Sequence, residues 1–295
     1  MRILPRPLGA LLNDALASLG RTWKTLVPIA LVVFIPASIA TVAAFSIPGA
    51  LEFVDSVVTS PETLADLPPE EFAERSRPFV TAGAITLVVQ ALATIFVFVC
   101  CHRVVVGDIK DEPVDRRTAV KGALRAYPSA ALAGILGVAA AAGLFFLGFT
   151  LWSVPALTVG TPNSTSALVA SVLLVAFTGP GIWLGTSMSM VTAAAGVERQ
   201  GVFAAMRRSA SLVRGRWWAT FGFMLMIGFL GTIALQMVQL VAIPVTQVGG
   251  GGNAPLAALL GVLTQGPIVT AMGVTFTTWY VDLRARKEPL MIAQL

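Results

Sequence analysis

Three residues with metal-binding chemistry stand together in CCHRVVVGD (100–108), which contains both cysteines of the chain and its one histidine. A zinc site usually takes four ligands at spacings that let a loop wrap around the ion, whereas these three are contiguous. Adjacent cysteines also rarely bridge each other, because a disulfide needs Cα atoms about 5.5 Å apart in a suitable orientation. We therefore expect no metal, no cofactor and no disulfide, and we interpret Cys100, Cys101 and His102 as interfacial residues where a second membrane helix ends.

Ionisable residues gather again in TWYVDLRARKEPL (278–290), directly after a long uncharged run. A carboxylate beside basic residues is compatible with an active site, and also with an anchor where a helix leaves a membrane. Trp279 favours the anchor because tryptophan concentrates at membrane interfaces, and we expect Asp282 to pair with an arginine of segment 207–216. The pattern predicts a structural or partner-binding ring that comprises Glu198, Arg207, Arg208, Arg214, Asp282, Arg284 and Arg286.

The cores of the predicted membrane spans contain no Asp, Glu, Lys, Arg or His. An acid–base enzyme or an ion-coupled pump is expected to hold ionisable groups there, so we expect a protein that is not an enzyme. Neutral polar residues are present, and two interpretations of them stay open. They either hydrogen-bond between helices or line a substrate pathway, and the candidate cavity residues are Gln236, Gln239, Gln265, Thr186 and Ser189.

Small residues recur at every fourth position in two of the predicted spans, a pattern that lets helix backbones approach closely. The two series are Gly181, Gly185, Ser189 and Ala193, and Ala133, Gly137 and Ala141. We expect them to pack against each other within one chain, with a dimer interface as the alternative. Pro180 and Pro267 lie within predicted spans and remove backbone hydrogen bonds there.

Composition places these residues on membrane helices. The 295-residue chain is 56% hydrophobic and 12% charged, against about 25% charged in soluble domains. Uncharged runs cover 25–51, 78–102, 126–197 and 217–281. A span needs about 20 residues, so the last two runs must fold back as hairpins. Their turns are expected at VGTPNST and VGGGGNAP, which predicts six spans, at about 25–47, 79–102, 128–157, 166–195, 217–246 and 255–281.

The basic residues predict the orientation of these spans. With both termini cytoplasmic, 18 of the 20 Lys and Arg residues face the cytoplasm, and only Arg75 and Arg77 lie outside, as the distribution of positive charge in membrane proteins requires. The outer loop 48–78 then carries a net charge of −5 and the cytoplasmic segments +10. The basic excess therefore suits anionic phospholipid of the inner leaflet and does not indicate nucleic acid. Short helices are expected in the loop, starting at Ser60–Pro61 and Pro68–Pro69.

Three basic amphipathic segments precede the first, third and fifth spans. They are LGALLNDALASLGRTWK (8–24), DRRTAVKGALRAY (115–127) and GVFAAMRRSASLVRGRWW (201–218). Each is expected to lie in the inner interface as a helix, the second with Asp115 as its N-cap. The predicted fold is a single all-α polytopic membrane domain (1–295) with three repeats of interfacial helix plus hairpin. The repeats cover about 5–107, with the outer loop 48–78, then 115–197 and 201–288.

PRPLGALLNDALASLGRTWKTLVP (5–28), VERQGVFAAMRRSASLVRGRWWATFG (197–222) and TWYVDLRARKE (278–288) resemble a family of actinobacterial six-span proteins labelled as glycerophosphoryl diester phosphodiesterase membrane domain proteins. The matching positions are Arg6, Pro7, Leu8, Glu198, Arg207, Arg208, Ser209, Leu212, Val213, Arg214, Gly215, Trp218, Tyr280, Asp282, Leu283, Arg284, Arg286 and Glu288. The departures are Met206, Ala210, Trp279 and Val281.

The resemblance implies a membrane domain without an enzyme. Phosphodiesterase activity in that family belongs to a separate barrel whose motif begins His-Arg-Gly, whereas Val104 follows His102 and Arg103 here and no second histidine exists. We expect a scaffold or accessory protein of the cell membrane that organises anionic phospholipids or a partner protein through its basic cytoplasmic face. The alternative is a transporter or lipid-handling channel, and an intramembrane enzyme is the weakest hypothesis.

Overall fold

The computed structural model describes residues 6–60, 62, 67–158, 164–247 and 254–288, and this part of the chain is helical without strands. The helices, numbered in chain order, are α1 Leu8–Phe45, α2 Ala50–Thr59, α3 Pro69–Ile109, α4 Arg116–Thr158, α5 Ser164–Met188, α6 Val191–Glu198, α7 Val202–Val213, α8 Trp217–Gln247 and α9 Ala254–Lys287.

Five stretches of the described residues are long and apolar enough to cross a membrane, which defines a multi-pass, membrane-type helical protein. They are Leu8–Phe45, Glu70–Ile109, Arg116–Leu151, Leu168–Glu198 and Trp217–Met237. Helix α9 coincides with the sixth predicted span. Its crossing of a membrane, the six-span count and the repeat organisation remain predictions.

The predicted interfacial helices are not all separate elements. The first and second are continuous with the spans that follow them, in α1 and α4. No residue between the predicted surface segment and the predicted span has a positive φ in either helix, so the helix continues from one into the other. The third is separate, because Gly215 takes a φ of +87° between α7 and α8, a conformation that glycine adopts at little cost.

Both helix starts that can be compared agree with the sequence. Asp115 accepts hydrogen bonds from the backbone N–H groups of Arg117 (3.2 Å) and Thr118 (3.3 Å), which confirms it as the N-cap of α4. The start at Pro68–Pro69 is confirmed, since α3 begins at Pro69 with two glutamates in its first turn. The Ser60–Pro61 start falls largely outside the described residues.

Helices α4 and α5 form the hairpin that the small-residue series predicted. A Cβ added at Gly181 would lie 3.0 Å from the carbonyl oxygen of Ala141, and one at Gly137 would lie 3.2 Å from the Cβ of Met188. Side chains at these glycines would therefore push the two backbones apart. Packing within one chain is confirmed, because the small residues of α4 and α5 face each other within one hairpin.

The predicted fourth span is broken into two helices. Ser189 and Met190 separate α5 from α6, and the side chain of Ser209, on α7, bridges the gap. Its hydroxyl donates to the carbonyl oxygen of Ser187 (2.7 Å) and accepts from the N–H of Met190 (3.1 Å). Ser209 is fully buried, so the broken backbone ends are satisfied by protein instead of water.

The Cys–Cys–His stretch does not lie at a helix end, which corrects the interfacial interpretation. Helix α3 continues to Ile109, and Cys100, Cys101 and His102 are buried in the core against α9. A Cβ at Gly273 would lie 2.8 Å from the Sγ of Cys101. His102 shares a hydrogen bond of 2.7 Å between its Nδ1 and the hydroxyl of Thr277, so the imidazole is a packed core residue that joins two helices.

Candidate functional site

The candidate site lies at one end of the bundle, called the basic end here, where α6, α7, the end of α9 and the residues before α1 meet. Glu198 closes α6, and the chain then turns at Arg199 with a φ of +51°. The Glu198 carboxylate accepts hydrogen bonds from Arg208 Nε (3.0 Å), Gln200 Nε2 (2.8 Å) and the Tyr280 hydroxyl. One carboxylate thus joins three helices.

A second carboxylate extends this arrangement. Arg208 also pairs with Glu288 at 2.6 Å, and the Nε of Arg284 lies 3.3 Å from Glu288 and 3.7 Å from Glu198. We call Glu198, Arg208, Tyr280, Arg284 and Glu288 the Glu198 cluster. The hydrogen bond from Arg208 holds the pKa of Glu288 below its ordinary value, and the same bond raises the pKa of Arg208 against the opposing effect of burial. Both groups are therefore charged at neutral pH.

Asp282 belongs to a neighbouring group that ties down the N-terminal segment. Its side chain is almost fully buried and accepts from the Nε of Arg286 (2.5 Å) and from the backbone N–H of Arg6 (2.9 Å). Arg286 in turn donates to the carbonyl oxygen of Arg6. The predicted partner of Asp282 in segment 207–216 is wrong, because α9 stays helical to Lys287 and places Arg286 one turn away on the same face.

The predicted ring is therefore only partly assembled. Glu198, Arg208 and Arg284 come together, and Asp282 and Arg286 form the adjacent pair. Arg207 and Arg214 are exposed, and no carboxylate of the described residues pairs with them. Sequence reasoning did not assign Tyr280 or Glu288 to the site. Their spacing around Arg284, at four residues on either side, was the available signal, since it puts all three on one helix face.

An ion pair that sequence reasoning also missed joins α1 to the end of α3. Arg21 donates to both oxygens of Asp108, at 2.8 and 2.7 Å, and the Ser18 hydroxyl donates to the same carboxylate at 2.8 Å. Such two-pronged arginine–carboxylate pairs fix orientation as well as distance. The carboxylate that ends the predicted first hairpin is thus engaged, like that of Glu198 at the end of α6.

The candidate cavity residues are dispersed. Gln265 donates to Gln90 (3.1 Å), which donates to Thr41 (3.3 Å), so a polar chain bridges α9, α3 and α1. Thr186 and Ser189 bond to carbonyl oxygens of their own segment, those of Ile182 and Thr186.

The remaining candidates lie apart from that chain. Gln236 is exposed on α8, and the side chain of Gln239 lies outside those that the structure describes. Among the described residues, no hydrogen bond joins Gln236, Gln265 and Thr186. Thr186 does line a mostly apolar cavity of about 500 Å³ between α5 and α8.

A larger cleft of about 660 Å³ opens at the basic end between the N-terminal segment, α8 and α9. Arg6, Arg216 and Arg286 contribute charge to its lining, and Trp218 and Trp279 contribute aromatic surface. We call it the arginine–tryptophan cleft. Trp279 stacks on Phe223 with ring centroids 4.5 Å apart, and its indole N–H is buried with no hydrogen-bond partner among the described residues.

The described residues were also searched for a metal site, and the whole chain was compared with known proteins. No group of three or more His, Cys, Asp or Glu side chains suited to a metal ion occurs within the described ranges. Comparisons of the chain with protein-family models, with curated proteins and with solved structures found no match.

Proposed function

We propose that this chain is a non-enzymatic scaffold or accessory protein of the cell membrane, whose basic end faces the cytoplasm and organises anionic phospholipid or a partner protein. The observation that carries the proposal is the surplus of exposed positive charge at that end. Four carboxylates there already form ion pairs with arginines of the same chain: Asp108, Glu198, Asp282 and Glu288. Exposed cations remain without a carboxylate among the described residues: Arg117, Lys121, Arg125, Arg207, Arg214 and Arg216.

The geometry of the arginine–tryptophan cleft supports a lipid as the first ligand to test. Arginine guanidinium groups bind phosphate, and tryptophan rings suit the depth between headgroups and acyl chains. A phospholipid placed there would meet Arg216 and Arg286 with its phosphate and Trp218 and Phe223 with its glycerol and upper acyl chains. The resemblance to the glycerophosphoryl diester phosphodiesterase membrane domain family fits a membrane protein without a catalytic barrel and stays part of this proposal.

The proposal is tested by the lipid that stays with the purified protein. Protein extracted from membranes containing phosphatidylglycerol is analysed by native mass spectrometry, comparing the wild type with an R207Q/R214Q variant. Each basic residue near an anionic surface is worth about 1 kcal/mol, roughly fivefold in affinity, so retained phosphatidylglycerol should fall clearly. The matched control is R75Q/R77Q, which removes two exposed arginines from the opposite end. Equal lipid retention by both variants would contradict lipid binding by the basic end and favour a protein partner.

A second candidate function is lipid handling or transport, and the apolar cavity beside Thr186 favours it. Gly228 lines this cavity, and a Cβ built there meets nothing within 4 Å. Position 228 therefore has room for a Cβ, and a Gly228→Phe variant is the substitution that directs a ring into this cavity. If the cavity is a lipid path, translocation of a fluorescent lipid in proteoliposomes stops in this variant and continues in a Gly83→Phe control. Absence of translocation by the wild type rules this function out.

A further inference from the structure

A second basic pocket shares no lining residue with the arginine–tryptophan cleft. It has a volume of about 220 Å³ and is formed by the end of α3, the start of α4 and the end of α6. Arg103, Lys110 and Arg199 contribute to its lining, and none of the lining residues is a carboxylate. Three cations around one small cavity repel each other unless an anion lies between them.

Arg103 is the lining residue with an unpartnered buried nitrogen. This nitrogen is its Nε, which has no hydrogen-bond partner among the described residues. The nearby charges of Arg199 and Arg125 are positive and oppose its own. A partly buried charge in this state is unfavourable, and a buried donor without an acceptor adds to the cost. The fold nevertheless keeps the guanidinium where it is.

A glycine of α4, Gly122, leaves space for the guanidinium group of Arg103. A Cβ added at Gly122 of α4 would lie 2.5 Å from Nη1 and 2.8 Å from Nε of Arg103. A side chain at position 122 would therefore have to displace the guanidinium from its place against α4. Within a helix, glycine is less favourable than alanine by about 1 kcal/mol on host–guest scales, so the place beside the guanidinium comes at a cost to the stability of α4.

Other partly buried arginines of the basic end have a carboxylate partner, which Arg103 lacks within the described ranges. Arg208, Arg284 and Arg286 each lie beside a carboxylate. Of the acids that follow Arg103 in the sequence, Asp108 pairs with Arg21 and Asp115 caps α4. Asp111 and Glu112 are exposed and do not line the pocket. No carboxylate of the described residues is within ion-pair distance of Arg103.

We propose that this pocket binds a phosphate group, with Arg103, Lys110 and Arg199 as its ligands. An arginine offers two parallel donors to phosphate oxygens, and a lysine and a second arginine complete the neutralisation of a dianion. The volume is below the 300–1,000 Å³ typical of pockets for whole organic ligands, so the pocket takes a phosphate and not a nucleotide. The phosphate comes from solution or from the headgroup of a monoester phospholipid, and both bring the same chemistry. This site is independent of the proposed scaffold function.

The test uses the full chain in phosphatidylcholine nanodiscs and two probes. The first is inorganic phosphate, followed by isothermal titration calorimetry, and the second is phosphatidic acid included in the nanodisc in phosphate-free buffer, followed by the thermal midpoint. Binding of either probe to the wild type supports the proposal and identifies the source, since a ligand that binds only the folded state raises the midpoint. Binding of neither probe overturns it.

Two variants assign the binding to this pocket. Arg103→Gln removes the charge and is expected to weaken binding at least tenfold. Its midpoint without ligand should equal or exceed that of the wild type, because an unpaired charge is removed, and this separates loss of a ligand from loss of the fold. Gly122→Ala displaces the guanidinium and should weaken binding similarly. The matched control is Gly20→Ala, on a helix position with nothing within 4 Å, which should bind like the wild type. Wild-type affinity in both pocket variants overturns the proposal.

The R207Q/R214Q variant separates this site from the scaffold function. Neither residue lines the pocket, so this variant should bind inorganic phosphate like the wild type whatever happens to its retained phosphatidylglycerol. Loss of phosphate binding in R207Q/R214Q would place the site elsewhere and contradict the assignment to Arg103.

Discussion

At the scale of single residues, the Glu198 carboxylate contacts more side chains than the neighbouring carboxylates of Asp282 and Glu288. Its side chain is 12% exposed and that of Arg208 is 21% exposed, so water screens the pair only in part. Pairs of this kind differ from surface pairs, which contribute about 0–1 kcal/mol. Removing one partner leaves the remaining charges without compensation, and that loss is the larger effect.

We therefore expect Glu198→Gln to destabilise the protein by about 2 kcal/mol. The variant keeps the shape of the side chain but leaves Arg208 and Tyr280 facing a neutral amide. Chemical denaturation of the purified protein in detergent measures the change in the free energy of unfolding. The control is Glu71→Gln, which breaks an exposed pair with Arg75 near the start of α3 and should cost less than about 0.5 kcal/mol. Equal effects would mean that the Glu198 cluster is an ordinary surface pair.

Glu288 gives the cluster a predictable dependence on pH. Its pKa in the folded state lies below the ordinary 4.5 because Arg208 bonds to its charged form. A lowered pKa contributes stability above the unfolded value, and this contribution is lost as the pH falls through the folded value. The contribution is therefore complete at pH 5–7 and disappears only below about 4.5. The stability difference between the wild type and Glu288→Gln should be constant from pH 7 to 5 and shrink at lower pH, and a difference that already shrinks near pH 6 would contradict this account.

At the scale of helices, the break between α5 and α6 is held by one side chain of another helix. Ser209 satisfies two backbone groups that would otherwise be buried without partners, on Ser187 and Met190. The predicted third interfacial segment therefore satisfies the backbone at a helix break. Since α1 and α4 run continuously from the predicted surface segments into the candidate spans, α7 alone of the three is a separate helix that can lie across the end of a neighbouring hairpin.

Ser209→Ala should therefore loosen the break locally. The variant leaves a buried N–H and a carbonyl without this partner, which costs about 1–3 kcal/mol. Hydrogen–deuterium exchange should show faster exchange of the Met190 amide and its neighbours, with α1 and α3 unchanged. Ser211→Ala is the matched control on the same helix, because the Ser211 hydroxyl bonds only to the carbonyl oxygen of Arg208 in its own turn. Unchanged exchange at Met190 in Ser209→Ala would show that water can replace the hydroxyl.

At the scale of the whole molecule, the sequence predicts features that depend on neighbours along the chain. The N-cap at Asp115, the start at Pro69 and the close approach at Gly181 follow from local spacing, and each is found. Contacts between helices of different predicted hairpins could not be predicted in this way. Ser209 at the helix break and Gly122 beneath Arg103 acquire their roles only from the relative placement of helices, and a serine or a glycine alone carries no signal of it.

The orientation of the molecule is the remaining large-scale prediction, and its charge distribution makes it testable. The native cysteines, Cys100 and Cys101, are fully buried, so a single introduced cysteine should react with a membrane-impermeant maleimide against a low background. Arg77→Cys, at the acidic end, should react in intact cells or spheroplasts. Lys121→Cys, on the exposed face of α4, should react only after the membrane is permeabilised, because basic segments are retained on the cytoplasmic side. Reversed reactivity would turn the basic end outward, away from the anionic inner leaflet, and would remove the electrostatic basis of the proposed scaffold function.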